Sequence, residues 1–259
     1  MAGPMIRIAI FSDIHGNPYA TRAALDAIAV DGQFDTVVMA GDVCLGGSDP
    51  AACVDLLRAA GVQALYGNAD VFMYAPTAEA PTEFFRAHWP QTMQSARWAA
   101  EKIGAERLEW LSALLFELRF SPTDNAADDL LVVHANPVDV YTFINPPEEV
   151  QSELFGDVTQ PDDDQELAEL FVGVQAAVMA YGHFHYTSER YLREMRLVNV
   201  SPCSFSDFDP DRRARYSVFT WDGEWRIERK YVEYEHRQEG AALLAGDMPG
   251  REEQAKLFE

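Results

Sequence analysis

Short continuous apolar runs alternate with stretches of helical spacing through the first part of the chain. Ile6–Phe11, Phe34–Ala40 and Val62–Tyr66 are mostly apolar runs without strict alternation. Runs of this length and composition predict strands covered on both faces. Between them, Pro18–Val30 carries apolar residues at helical spacing (Ala20, Ala24, Leu25, Ile28). Asn17-Pro18 supplies a start signal, with Asn as N-cap and Pro at the first helical position. A second helix is predicted over Asp49–Ala60, with an acidic cap and Gly61 as its stop. Strand, helix, strand, helix, strand opens an α/β fold.

Further along, Pro81–Ala113 reads as mostly helical, broken near Pro90 and Gly104. Leu114–Phe120, Leu130–His134 and Ala176–Tyr181 are predicted strands. Pro146 to Val174 holds a loop and two helices, the second capped by the acidic run Asp162–Asp164. The period then changes to short alternating segments, Ser188–Leu192, Leu197–Val200, Tyr216–Trp221 and Trp225–Glu233. Asp222-Gly223 between the last two is a hairpin signal. The expected architecture is α/β: a four-layer αββα sandwich of two mixed sheets flanked by helices. One domain spans 1–235, with a helical insert around 81–113. Residues 236–259 read as a polar, loosely held tail with a weak helical stretch.

Length and charge narrow the picture. The chain has 259 residues and a formal net charge of -22, from 42 acidic and 20 basic side chains. So negative a field opposes binding to duplex nucleic acid or to an anionic membrane. It does not oppose an anionic small substrate, because bound divalent metals invert the local potential. No run approaches the roughly twenty apolar residues of a membrane span. The N-terminal residues lack a signal-peptide layout. Cys44, Cys53 and Cys203 are odd in number and match no zinc or disulfide spacing. Free thiols in a cytoplasmic protein are the expectation.

The chemistry-bearing residues fall at strand ends. The first strand runs into Ser12-Asp13-Ile14-His15-Gly16-Asn17, the second into Gly41-Asp42, and the third into Gly67-Asn68-Ala69-Asp70. Two later strands end in His134 and in Gly182-His183-Phe184-His185. In open α/β sheets, ligands bind beyond the carboxyl ends of strands. Residues far apart in sequence can therefore converge there. Asp13-x-His15 and His183-x-His185 each offer two ligands that a turning segment can aim at one site. Four of the six histidines in the chain lie at these positions. Each fragment alone is as well explained by a turn or a cap. The ordered set on five strand ends predicts a shared metal site of Asp13, His15, Asp42, Asn68, His134, His183 and His185.

The ordered motifs resemble the calcineurin-like metallophosphoesterase superfamily: Asp-x-His, Gly-Asp, Gly-Asn, a later His, and Gly-His-x-His. More locally they resemble its small bacterial phosphodiesterases, through Ser-Asp-Ile-His-Gly-Asn, Val133-His134-Ala135-Asn136-Pro137 and Leu197-Val198-Asn199. The resemblance implies that Asp13, His15 and His185 bind one metal and Asn68, His134 and His183 a second, with Asp42 bridging. It implies a metal-bridging hydroxide as nucleophile. The mixed oxygen and nitrogen donors suit two divalent transition-metal ions, Mn first, with Fe, Ni or Zn as alternatives.

Two departures matter. The superfamily's commonest third motif has His after the Asn, where this chain has Ala69. Asp70 remains, without that imidazole to orient. General acid catalysis typically contributes ~10²–10⁴-fold, so its loss weighs most on poor leaving groups. Second, Asn199-Val200-Ser201-Pro202-Cys203-Ser204 stands where the branch often has Asn-Pro-Gly-Ser. Among weaker candidates, Asn17 reads first as a helix cap and second as a substrate contact. His88 is a candidate substitute for the missing His, with an ordinary surface or packing role preferred, and Cys44 a candidate for oxidation, with the role of a small buried hydrophobe preferred. Arg212, Arg213 and Arg215 are candidates for a distal phosphate, with a solvated turn preferred. Tyr141, Phe143 and Pro146-Pro147 are candidates for a substrate wall, with core or loop packing as the default reading. The expected activity is hydrolysis of a small or nucleotide-like phosphate ester, a phosphodiester first. A dinucleoside polyphosphate or a monoester is the alternative, and a non-catalytic scaffold on this fold is the reading from another class.

Overall fold

A computed structural model describes residues 5–74, 90–206 and 208–259. The apolar runs become the strands of two five-stranded sheets. The first contains β1 (Ile6–Phe11), β2 (Thr36–Ala40) and β3 (Gln63–Leu65), all parallel, in the order β10-β9-β1-β2-β3. Its other edge is the antiparallel hairpin of β9 (Ala214–Trp221) and β10 (Trp225–Val232), turned at the expected Asp222-Gly223. The second sheet has the order β4-β5-β6-β8-β7, from β4 (Glu117–Phe120), β5 (Leu130–Val133), β6 (Val178–Tyr181), β7 (Ser188–Leu192) and β8 (Met195–Asn199). Its three central strands are parallel and its two edges antiparallel.

Continuous apolar runs are needed because each central strand is covered twice. On β1, Ile8 and Ile10 face the other sheet, while Ala9 and Phe11 face helices. Val38 and Ala40 on β2 and Leu130 and Val132 on β5 fill the same inter-sheet core. Leu131, Val133, Met179 and Tyr181 point to the opposite side, against Leu167 and Phe171. The expected αββα layering follows.

Helices α1 (Pro18–Asp31) and α2 (Pro50–Ala59) cover the first sheet. They start as expected: the Asn17 side chain accepts from the Tyr19 and Ala20 N–H groups, and Asp49 accepts from that of Ala52. A short helix, α3 (Asn68–Tyr74), begins immediately after β3 and was not anticipated. Helix α4 (Pro90–Ser112) breaks at Gly104, as its sequence predicts. The start of the expected insert, with His88, lies outside the described residues. Over the second sheet lie α5 (Glu148–Phe155) and α6 (Gln165–Leu170), the latter capped by Asp164. No helix among the described residues is long and apolar enough to cross a membrane.

The segment after residue 235 corrects an expectation. It forms α7 (His236–Ala245) and α8 (Arg251–Ala255) and is firmly docked. Leu243, Met248, Ala255 and Phe258 are buried in one cluster with Phe205. The sequence hid this because four apolar residues are spread among many charges. Polar ties add to the packing: Trp98 Nε1 donates to Asp247, and Ser95 Oγ to the Pro249 carbonyl.

Glu239 on α7 is fully buried and accepts from the Ser48 N–H and hydroxyl, both at 2.7 Å. Burial pushes its carboxyl up to about 7 from 4.5. Between those values the folded chain holds a proton that the unfolded chain has lost, so stability falls as pH rises through that window. Glu239→Gln, which keeps the shape and can still bond Ser48, should lessen the loss of urea resistance between pH 5 and pH 8. An equal loss in the variant would show that Glu239 titrates normally.

Candidate metal centre

The parallel strands β1, β2, β5 and β6 end together, and the loops that follow are tied by backbone hydrogen bonds. Asp13 N donates to Gly41 O at 3.0 Å, His15 N to Asp42 O at 3.0 Å, and Gly16 N to Val43 O at 2.7 Å. Gly182 N donates to His134 O at 2.7 Å, linking the two ends of the second sheet. The His183 N–H points at the Asp13 carboxylate at 3.2 Å and joins the two sheets across the site.

Turning so sharply forces unusual backbone. Asp13, His15, Asp42 and His183 all have positive φ, between 48° and 67°. Such conformations cost non-glycine residues on the order of 1 kcal/mol each and persist where the surroundings over-determine them. Gly182 is required for a different reason: a Cβ there would overlap Ser12 Oγ and Asp13 Oδ2. At Gly67 a Cβ would strike Asp42 and the His134 ring.

The ligand candidates fall into two groups. Asp13, His15, Asp42 and His185 offer ligand atoms that all lie within 4.8 Å of one another. Asp42, His134 and His183 do the same. Asp42 belongs to both: its Oδ2 is 3.6 Å from His15 Nε2, and its Oδ1 is 3.5 Å from His134 Nε2. Asn68 joins the second group, with Oδ1 3.0 Å from His134 Nε2. All seven residues predicted from the sequence thus converge.

Three histidines have one ring nitrogen beside a backbone carbonyl. His15 Nδ1 lies 2.7 Å from Leu45 O, His134 Nδ1 2.9 Å from Ala40 O, and His183 Nε2 2.9 Å from Tyr141 O. A carbonyl can only accept, so each of these nitrogens carries the proton. In the neutral form of each ring the other nitrogen presents a lone pair to the centre. This is the arrangement by which outer partners orient metal-binding histidines. His134 Nε2 therefore faces the Asn68 carbonyl oxygen, acceptor against acceptor. Lone pairs and carboxylates turned on one another suit a cation between them.

Burial favours the neutral rings. It is the largest influence on His183, which with His134 nearby falls to about 4. Burial also lowers His15, against the pull of Asp42. For Asp13 burial acts to raise the carboxyl, but the hydrogen bond and charge of His185, with His134 and His15, hold it well below the usual range. Neutral imidazoles beside ionised carboxylates are the forms that bind metal.

Sequence reasoning missed three positioning groups. The fully buried Asp70 carboxylate accepts from the backbone N–H groups of Asp42, Val43 and Gly67, each at 3.0 Å. Burial, then neighbouring Asp42, push it up to about 7. Its role is therefore to join the second and third strand ends. Asn199 donates to the carbonyls of Gly182 and Phe184, fixing the turn that carries His183 and His185. Asn136 and Asp139 cap the loop that brings the Tyr141 carbonyl to His183. Asx residues just after a strand are the available sequence signal.

Some candidates fall away. Asn17 is completely buried; its oxygen caps α1 and its amide bonds Ser204 and Tyr234, so it does not face substrate. Arg213 pairs with Asp211 and buried Arg215 with Asp209, while Arg212 bonds the Ser206 and Asp209 carbonyls; none lines the cavity beside the site. Cys44 is buried and its thiol is pushed well up by that burial, so it is not poised for oxidation. Phe143 does line the cavity, whereas Tyr141, Pro146 and Pro147 do not.

The cavity over the metal centre has a volume of about 660 Å³ and reaches from His15, Asp42 and His183 to Glu253 and Leu257 of the C-terminal segment. That is the size of a small-molecule site.

Comparison with known proteins places this geometry. The sequence profile of the calcineurin-like phosphoesterases matches residues 6–187. The fold is similar to that of a metallophosphoesterase from Sphaerobacter thermophilus, at 20% identity and a TM-score of 0.68, covering 98% of both chains. It is also similar to a hypothetical protein from Pyrococcus horikoshii, at 18% identity and a TM-score of 0.75, covering 98% of this chain and 97% of that one. A third structure, provisionally assigned as a diadenosine tetraphosphatase, has 19% identity and a TM-score of 0.53, covering 88% of this chain and 94% of that one. No curated protein matches the chain.

Asp70→Ala should leave three buried N–H groups unpaired, at about 1–3 kcal/mol each. Urea unfolding should show a loss of about 3 kcal/mol or more; a loss below 1 kcal/mol would contradict the stitching role. Gly182→Ala should displace Asp13 and cut bound Mn by more than about tenfold in affinity, the scale on which misplaced metal partners act. Wild-type affinity by equilibrium dialysis would show that the turn can yield.

Proposed function

The chain belongs to the calcineurin-like phosphoesterase family, and from that premise we propose that it is a two-metal-dependent phosphodiesterase acting on small or nucleotide-like phosphate esters. The observation that carries this reading is the fixed tautomer of three histidines, whose lone pairs are aimed at two ionisable carboxylates. Asp13, His15 and His185 would hold one ion, and Asn68, His134 and His183 the other, with Asp42 between them. Two divalent ions there, with Mn the first candidate, would lower the pKa of water and neutralise charge on the phosphoryl oxygens.

Preference for a diester rests on what surrounds the metal positions. Ala69 donates its N–H to Asp42 Oδ1 at 2.9 Å and has no side-chain proton to give a leaving group. The ester must therefore part with a leaving group that needs little help. Among the described residues lining the cavity there is no lysine or arginine. A phosphodiester brings one negative charge. A monoester or a dinucleoside polyphosphate brings more, without a side-chain cation to meet it. This supports the diester over both alternatives.

Purified protein should bind about two Mn ions per chain and hydrolyse bis(p-nitrophenyl) phosphate faster than p-nitrophenyl phosphate. Asp42→Asn should lower kcat at least about 100-fold, the effect of losing one pre-organised electrostatic partner. Metal analysis below half an ion per chain with no turnover after Mn addition would sink the reading, and a faster monoester would reverse the preference.

A further inference from the structure

Four phenylalanines form one side of the cavity beside His183. Phe184 sits between the two histidines of the Gly-His-x-His turn and is the hub of the cluster. Phe208 stacks on it with centroids 5.2 Å apart, and Phe143 and Phe155 meet it edge-on at 5.8 and 6.1 Å. Phe155 also meets Phe208 edge-on at 5.7 Å. The rings come from four separate segments: the loop after β5, the end of α5, the turn after β6 and the loop before β9.

Three of them remain unusually open. Phe143 is 48% exposed, Phe155 45% and Phe208 41%. A single exposed ring needs no explanation, but adjoining rings on a cavity wall mark a binding surface. Phe143 lies flat against His183, 4.2 Å between centroids at 10°. The apolar wall is thus continuous with the metal centre. The rest of the cavity lining includes the hydroxyl and carboxamide groups of Gln91, Thr92, Ser95 and Gln254 and the carboxylate of Glu253. An apolar wall with hydroxyl, carboxamide and carboxylate groups in the rest of the lining suits a flat ring with hydrogen-bonding edges. A simple aryl group lacks such edges.

We propose that Phe143, Phe155, Phe184 and Phe208 form a nucleobase subsite, so that the ester hydrolysed carries a nucleoside on one side of its single phosphate. This rests on the phosphodiesterase reading and names its substrate class. The ring packs against the phenylalanine wall, its polar edge faces the glutamine and hydroxyl side, and the phosphate reaches the metal positions past His183.

Three esters that share a p-nitrophenolate leaving group test it: thymidine 5′-(p-nitrophenyl) phosphate, phenyl p-nitrophenyl phosphate and methyl p-nitrophenyl phosphate. The thymidine ester should have the lowest KM. Phe155→Ala and Phe208→Ala, both at exposed rings away from the ligands, should raise that KM about tenfold, the lower end of base-stacking effects. They should leave the methyl ester within about twofold. The proposal is overturned by equal KM values for the thymidine and methyl esters, by a phenyl ester that surpasses the thymidine ester, or by variants that shift all three alike. If no ester turns over, the hydrolase reading fails, and calorimetry with thymidine 5′-phosphate and methyl phosphate decides the subsite separately. Tighter binding of the nucleotide, lost in both variants, supports the subsite; equal binding overturns it.

Discussion

The loops that leave β1 and β2 run side by side for three more residues after the strands stop. Their backbones keep pairing, from Asp13 to Gly41, His15 to Asp42 and Gly16 to Val43, although four ligand candidates around this junction have left-handed φ. Strain of that kind survives only where competing hydrogen bonds hold it. Here the Asp70 carboxylate takes the amides of Asp42, Val43 and Gly67, and the Asp13 carboxylate takes that of His183. One ionisable group thus fixes the second and third strand ends, and another fixes the two sheets to each other. The positions of all seven ligand candidates follow from this knot of backbone.

Much of this was legible in the sequence because the two features that specify it are local. Apolar runs without alternation require a strand covered on both sides, and Ile8, Ala9, Ile10 and Phe11 supply one core on each face. Ligand-type residues directly after such runs have no other place to go than the strand ends. What escaped was set by distant contacts. Asp70 looked like a residue left without its imidazole, because its true partners are amides 27 and 28 positions away. Asn17 has enough hydrogen-bonding groups for a substrate, but Ser204 and Tyr234 take the amide that the cap leaves over. The C-terminal segment looked loose because its four buried residues follow no single helical face, and only Phe205 and its neighbours show what they meet.

That segment also changes what the site is made of. Residues 249 to 257 lie beyond the region matched to the family, yet Pro249, Gly250, Glu253, Gln254 and Leu257 line the cavity. Phe258 packs edge-on against Phe205, whose ring lies 5.0 Å from that of His15. The part of the chain matched by the family profile supplies the ligand candidates, and the part beyond it supplies a wall.

The stacking of Phe143 on His183 gives a single imidazole two neighbours of different kinds. One edge of the ring addresses the metal centre, and one face carries the aromatic wall. An ion and an organic ligand bound there would meet in the same side chain, and any effect of one on the affinity of the other would be reciprocal. Whatever an ion at this centre would do for the binding of a ring against Phe143, the ring would do in equal measure for the ion.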